Sequence, residues 1–412
     1  MEIHLTYSFC LINKSNQKLF ENQRESFIVR TTMKIIKVEA KNIHHTSVMV
    51  RDREGHSHPG KSHDAKIPLL VITCDDGTVG YSIGGRMEVE ILRKVVGPAL
   101  IGEDPFMHEY HWQRMRTWQR LHPAFTGRTL CGMDNALWDI CGKVCKQPVY
   151  RLLGGFRDKV PAYASIMVGD NLPDGLGTPQ AYADYSLKLI KQGYKGIKLH
   201  TWMPPTIPEP NPKLDIEACR LVREAVGPEV PLMLDPYHDY SRDQAYYLAK
   251  ELEKLDFIWL EEPMDENSIA SYKWLTEKAN IALCGPETAE GKSQNRAMWI
   301  TQGAADIGRA GTEDMGGITS VMKSVHLYES FGMSVELHGA TIGNLQVLGA
   351  MGIPGRFYER GMLHPLLDYE KPKPWFNSIY DPMDKNGMVT IPNTPGLGWD
   401  LNLEYLNAYF VE

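Results

Sequence analysis

Three short apolar runs, each closed by an acidic residue, constrain this chain more than anything else in it. They read PLMLD, FIWLEE and ALCGPE, and the acids in question are Asp235, Glu261 and Glu287. Their spacing is equal: 26 residues from Asp235 to Glu261 and 26 from Glu261 to Glu287. Runs of this length between helical patterns read as buried parallel strands. The interval holds one strand, one helix and two loops. Three consecutive βα units therefore set three carboxylates side by side at one rim of a barrel, the rim on which (β/α)8 barrels build active sites. A single such acid would do no more than cap the next helix; three at one interval argue for a shared centre. Anions this close need a counter-charge, and oxygen donors without Cys or a His pair favour Mg2+ over Zn2+.

The rest of the chain sets this cluster in context. At 412 residues it suits two domains. A net charge of −7 without a basic stripe argues against nucleic acid as a partner, and no apolar run approaches the length that spans a membrane. Seven Cys are scattered without pairing spacing (Cys10, Cys74, Cys131, Cys141, Cys145, Cys219 and Cys284). That pattern predicts reduced thiols and a cytoplasmic protein. Cys141 and Cys145 lie one helical turn apart, but no His or Cys partner pattern makes them a metal site.

Residues 1–32 are polar and aperiodic and read as a weakly ordered extension without signal-peptide features. From Lys34, strand patterns come first, with a DDG turn at Asp75–Gly77, and helical patterns follow from Glu88; this predicts an α+β domain over 33–158. The stretch RDREGHSHPGKSHD between two of its strands reads as a loop. After Lys159, β and α alternate: strands are predicted at VPAYASIM, YKGIKLH, PLMLD, FIWLEE, ALCGPE, ADIGRAG and MSVELHG. Without a GxGxxG fingerprint after the first of them, the alternation favours a barrel over a doubly wound sheet. The predicted class is α/β, a modified (β/α)8 barrel of the TIM type over 159–371. Residues 372–412, rich in Pro, Asn and Asp, form a segment packing back on the first domain.

These segments carry a resemblance. MDNALWDICGKVCKQPVYRLLGG, GIKLH, LMLDPY, WLEEP, GPE, GGITS, SVELHG and FYERG together resemble the enolase superfamily, mandelate racemase subgroup, over about 33–405. The resemblance implies a capping domain on a modified barrel, symmetric assembly of identical chains, and Mg2+ on Asp235, Glu261 and Glu287 with Glu262 behind them. It also implies chemistry: a carboxylate substrate loses its α-proton to a positioned base, and cationic groups stabilise the dianion that forms.

The family's Lys-x-Lys at the second barrel strand is Lys198-Leu199-His200 here, so His200 takes the place of the base and Lys198 that of the partner of the substrate carboxylate. His338 follows the seventh strand. The Asp that the family pairs with it falls on Gly311; Asp306 lies at the wrong end of its strand, and Glu313 or Asp314 is left to replace it. Glu359 lies near the position of a carboxylic-acid donor, and Arg309 is a candidate substrate contact. His56, His58, Lys61 and His63 are the polar candidates of the stretch expected to fold over the barrel mouth. The expected activity is an acid-sugar dehydratase acting on an aldonate or aldarate. Its alternatives are a racemase, epimerase or cycloisomerase of a hydroxy-carboxylate or sugar lactone, and a barrel that binds ligand without turnover.

Overall fold

The computed structural model describes residues 33–289, 291–352 and 355–411. The expectation for residues 1–32, and Cys10 with them, lies outside the described residues. Three strands open the chain: β1 (Ile35–Arg51), β2 (Ser57–Cys74) and β3 (Val79–Ile83). They form an antiparallel sheet, with Phe410–Val411 added at the outer side of β1.

The His-rich stretch predicted as a loop is mostly strand. Pairing continues from Ser47 opposite His63 to Arg51 opposite Ser57, leaving a turn of only 52–56. Val48, Met49 and Val50 keep strand propensity on one side, and β2 follows them. Pro59 falls beside a register shift between Ser47 and Met49, where the ladder tolerates a missing donor. Gly60 serves close approach rather than a turn: a Cβ there would lie 2.6 Å from a Val50 methyl. The result is a ribbon that reaches out over the barrel.

Helical residues 89–100 and α2 (Gly127–Val144) back this sheet, with α1 (His108–Gln119) packed against α2. Helix α2 is buried along most of its length and joins the two halves of the molecule. Its Asp139 accepts from the Tyr81 and Leu397 N–H groups and from Lys143 Nζ. Its Asp134 accepts from the N–H and hydroxyl of Thr319, at the start of a barrel helix.

The barrel strands are β4 (Lys159–Ile166), β5 (Ile197–Leu199), β6 (Leu232–Leu234), β7 (Trp259–Glu261), β8 (Ala282–Gly285), β9 (Ile307–Ala310), β10 (Ser334–Leu337) and β11 (Tyr358–Leu363). They pair in parallel from β4 through β10, and β11 returns to pair with β4. Across the β10–β11 seam the Glu336 carboxylate accepts from the Arg356 and Phe357 N–H groups.

Side-chain alternation explains the interior. Ile197, Leu199, Leu232, Leu234, Leu260 and Leu283 face the surrounding helices in the main core. The alternate positions Tyr163, Met233, Trp259 and Cys284, with Phe357, form a separate inner cluster. Two residues further along several of these strands stand Ser165, Asp235, Glu261 and Glu359, so the barrel is apolar at one level and charged at the next. The connecting helices include α3 (Pro179–Lys191), α4 (Pro212–Val226), α5 (Arg242–Lys254), α6 (Ile269–Thr276), α7 (Lys292–Gln302), α8 (Thr312–Met315), α9 (Ile318–Ser330) and α10 (Ile342–Ala350).

The C-terminal segment lies against the opening domain, with Trp375 edge-on to His45 and Trp399 Nε1 donating to Tyr81 O. The six described cysteines form no disulfide. No helix among the described residues is long and apolar enough to cross a membrane.

Candidate active site

Asp235 follows β6 by one residue, Glu261 ends β7, and Glu287 follows β8 by two. Each offers one carboxylate oxygen within 4.8 Å of the others. Two buried cations stand among them. Lys198 Nζ contacts Asp235 Oδ2 at 3.1 Å, Glu261 Oε1 at 3.0 Å and Glu359 Oε1 at 3.0 Å. Arg309 Nε lies 2.9 Å from Glu261 Oε1 and 3.4 Å from Glu287 Oε2, and its Nη2 lies 2.6 Å from Glu359 Oε2.

Four carboxylates thus face two cations, and the two negative charges left over equal the charge of one divalent ion. Glu287 registers the excess: burial, with Glu261 and Asp235 beside it, pushes it up to about 7 against the pull of His338 and Arg309. An all-oxygen donor set with this charge deficit fits Mg2+. Glu262 supports the set from behind, its Oε1 accepting the Glu287 N–H at 2.6 Å.

Two imidazoles flank the carboxylates. His200 Nδ1 lies 2.6 Å from Ile166 O, which only accepts, so Nδ1 carries the hydrogen and Nε2 faces Asp235 Oδ2 at 3.0 Å. The His200 backbone is fixed in turn by the Tyr182 hydroxyl donating to its carbonyl at 2.6 Å. On the other side, His338 Nε2 lies 3.1 Å from Glu287 Oε1, and its Nδ1 lies 2.6 Å from Asp314 Oδ2. Of the two acids considered as replacements for the missing Asp, Asp314 is the one in contact.

Local geometry explains the substitution. Residues 312–315 form one turn of helix, so position 314 comes back over position 311. A Cβ on residue 311 would lie 2.8 Å from Asp314 Oδ2 and 2.9 Å from His338 O. Glycine at 311 leaves the space that Asp314 occupies. Burial alone would lower His338, but Glu287 and Asp314 outweigh it and push the ring up to about 10. Asp306 is far from this pair, accepting the Leu283 N–H at the start of β9.

Other expected residues stand differently. Glu359 was expected near a carboxylic-acid donor position. Instead, Ser165 Oγ, Arg309 Nη2, the Gly339 N–H and Lys198 all point at its carboxylate. Although burial would raise it, Lys198 and Arg309 hold it well below the usual carboxylate range. Arg309, expected as a substrate contact, is fully buried, with Nε and Nη2 on carboxylates and Nη1 without a hydrogen-bond partner among the described residues. Lys198 is equally buried and spends its ammonium on three carboxylates.

At the ribbon tip, His56 Nδ1 and His58 Nε2 lie 3.2 and 2.9 Å from the same oxygen of Asp52. His58 is thereby tied into the turn, whereas the His56 ring meets Tyr237 edge-on at 5.0 Å. Lys61 and His63 are exposed on β2.

Sequence reasoning missed Tyr237. Its ring lies 5.0 Å from that of His200 and bridges it to His56. Its φ of 57° and the 66° of His238 put two consecutive side-chain-bearing residues in the left-handed region just after Asp235. Such strain gathers at functional sites, but nothing in the letters PYHDY announces it.

Fold and site together define a class: a capped (β/α)8 barrel with three carboxylates clustered at its rim. Comparison with known proteins agrees. Residues 45–154 match the mandelate racemase/muconate lactonizing enzyme N-terminal domain, and residues 181–405 match the enolase C-terminal domain-like family. The chain belongs to the enolase superfamily, in its mandelate racemase subgroup. A crystal structure of D-glucarate dehydratase from Agrobacterium tumefaciens complexed with magnesium is 47% identical, with a TM-score of 0.89 over 92% of this chain and 99% of that one. An arabinonate dehydratase of Saccharolobus solfataricus is 30% identical over 353 residues, 82% of this chain and 89% of the relative. A D-galactarolactone cycloisomerase of Agrobacterium fabrum is 28% identical over 83% of this chain and 90% of its own length.

Proposed function

We propose that the protein is a Mg2+-dependent dehydratase of acid sugars, taking an aldonate or aldarate to a 2-keto-3-deoxy acid. The observation that carries this is the unequal pair of imidazoles. Each directs Nε2 at the carboxylate cluster, from opposite sides, but the partners on Nδ1 differ: a neutral carbonyl for His200 and a carboxylate for His338. A neutral partner on Nδ1 suits a ring that must accept a proton, and a carboxylate partner suits one that must arrive charged.

Held by Asp235, Glu261 and Glu287, Mg2+ supplies the positive charge that makes the α-proton of a carboxylate substrate removable. His200 Nε2 takes that proton. His338 Nε2, kept protonated by Asp314, gives one to the β-hydroxyl as the C–O bond breaks, and water leaves. Lys198, Arg309 and Glu359 hold the carboxylates in place beneath the substrate. The similarity to an arabinonate dehydratase and a D-glucarate dehydratase supports this reading. A racemase would need a competent base on each face, and retention of the β-hydroxyl would distinguish it from a dehydratase.

Incubation with Mg2+ and a panel of acid sugars in D2O tests the proposal. A 2-keto acid with solvent deuterium is the expected product; deuterium at C2 without loss of water would replace dehydration by epimerisation. His200→Asn should abolish α-proton exchange while Mg2+ binding persists, and retained exchange would remove His200 from the role of base.

A further inference from the structure

Three arginines of the capping domain stand within electrostatic reach of one another beside Asp314, the partner of His338. Arg51 is the last residue of β1, where the ribbon turns, and among the described residues it donates only to Gly55 O, at 3.1 Å. Arg128 opens α2 and approaches Asp314 Oδ1 at 3.6 Å. Arg86 follows Gly84 and Gly85 in three consecutive left-handed residues, with φ of 91°, 69° and 53°. This turn rests on Glu313: a Cβ at Gly85 would lie 3.2 Å from its Oε1.

Among the described residues no hydrogen bond or ion pair claims the Arg86 guanidinium. Burial, then Arg128 and Arg51, push it down to about 10 against the pull of Glu313 and Asp314. Asp314 is already shared with His338. The three guanidinium groups therefore repel one another and hold more donors than the protein uses. A backbone fixed in a rarely populated conformation to present an unpartnered cation is the kind of strain that marks a ligand clamp.

We propose that Arg51, Arg86 and Arg128 form a second anion site, which receives the far carboxylate of a dicarboxylic acid sugar. The inference rests on the dehydratase reading and narrows its substrate class. The reacting carboxylate is committed to the cation site at the barrel rim. The anion left for the arginines is at the other end of the carbon chain, and aldarates carry one there whereas aldonates and sugar lactones do not. The ribbon closes over both ends, with His56 against Tyr237 on the His200 side and Arg51 within electrostatic reach of Arg86 on the other. Guanidinium groups suit this task because they meet carboxylates in paired, planar contacts.

The test compares matched pairs with the Mg2+-loaded enzyme: glucarate against gluconate, and galactarate against galactonate, by kcat/KM for 2-keto acid formation. The diacid of a pair should be preferred by at least about tenfold, the value of one charge-assisted contact. Arg86→Gln and Arg128→Gln should each lower the diacid-to-monoacid ratio by about tenfold, chiefly through KM, and Arg86→Lys should restore part of it. Added salt should weaken the preference. Equal use of both members of a pair, or an unchanged ratio in both Gln variants, overturns the inference. If monoacids alone react, the dehydratase reading stands and this one falls. If no acid in the panel reacts or exchanges its α-proton, both fall.

Discussion

Replacing Asp314 by Asn tests how this site makes an acid of His338. The 2.6 Å contact between Asp314 Oδ2 and His338 Nδ1 is a charge-assisted hydrogen bond, worth about 1.5–3 kcal/mol. Nearly a third of the His338 side chain is exposed, so solvent screening favours the lower figure. Lost, that stabilisation lowers the fraction of His338 that is protonated, so kcat for water loss should fall about tenfold on the alkaline side. Burial alone would lower His338, and Glu287 and Asp314 push it up to about 10. Without the Asp314 charge the ring gives up its proton at lower pH, and the alkaline limb of the kcat profile should move down. Exchange of the α-proton, assigned to His200, should survive within a few-fold. Gly311→Ala offers a second perturbation that removes no charge: its Cβ would lie 2.8 Å from Asp314 Oδ2 and 2.9 Å from His338 O, so acid and ring must separate. Steady-state kinetics from pH 6 to 10, with deuterium exchange followed in parallel, decide the matter. An Asp314→Asn enzyme with wild-type kcat and an unmoved alkaline limb, or an unaffected Gly311→Ala enzyme, refutes the dyad.

Tyr237→Phe keeps the ring between His56 and His200 but removes its hydroxyl; thermal stability should hold while kcat/KM falls if that hydroxyl meets the substrate, and unchanged kinetics would limit Tyr237 to packing. Chelation of the metal should abolish α-proton exchange and lower Tm, with Mg2+ at about 100 times its Kd returning about 2.7 kcal/mol; a Tm indifferent to Mg2+ would argue against the triad as its site. Behind the three carboxylates, Glu266 contacts His238 at 3.1 Å. Against burial, His238 and Thr288 draw Glu266 down to about 2, and against burial Glu266 and Glu262 raise His238 to about 10. The carboxylate contribution is full above its unfolded value of 4.5 and lost as pH falls through about 2; the imidazole contribution is full below 6.5 and lost as pH rises through about 10. Glu266→Gln should therefore cost most between those unfolded values, about 1 kcal/mol after screening or roughly 2 °C in Tm, and a uniform loss at all pH values would contradict the pairing.

What the sequence made legible follows from how each feature is encoded. Strand ends write themselves as an apolar run followed by a charge, so Asp235, Glu261 and Glu287 could be placed together from spacing alone. Strand alternation likewise put Lys198 and His200 on one face. The partner of His338 was harder, because the family position held Gly311 and the acid arrives one helical turn later, through a backbone path that spacing does not reveal. Glu359 and Arg309 could be placed in the barrel but not assigned, since whether a buried charge meets substrate or a neighbouring charge depends on side chains from other strands. The ribbon was misread for a chemical reason: Gly60 and Pro59 look like loop residues, yet one accommodates Val50 and the other sits at a bulge. Tyr237 and the arginine cluster have no local signature at all, because their meaning lies in what the capping domain brings to them.

The direction of the chemistry follows from what stands behind each imidazole. A base must end its step positively charged, and a carboxylate on Nδ1, added to the Asp235 contact on Nε2, would hold a proton on His200 before the substrate arrived. The Ile166 carbonyl orients the ring without adding charge. An acid must begin its step positively charged, and Asp314 provides for that at His338. Exchanging the two partners would leave every distance to the triad intact and yet reverse the roles, so geometry at the carboxylates alone does not select elimination. The selection lies one contact further out, in a carbonyl at the end of β4 and in an acid admitted by the missing side chain of Gly311. A relative with acceptors of equal charge behind both rings would be expected to exchange the α-proton from both faces and to retain its β-hydroxyl.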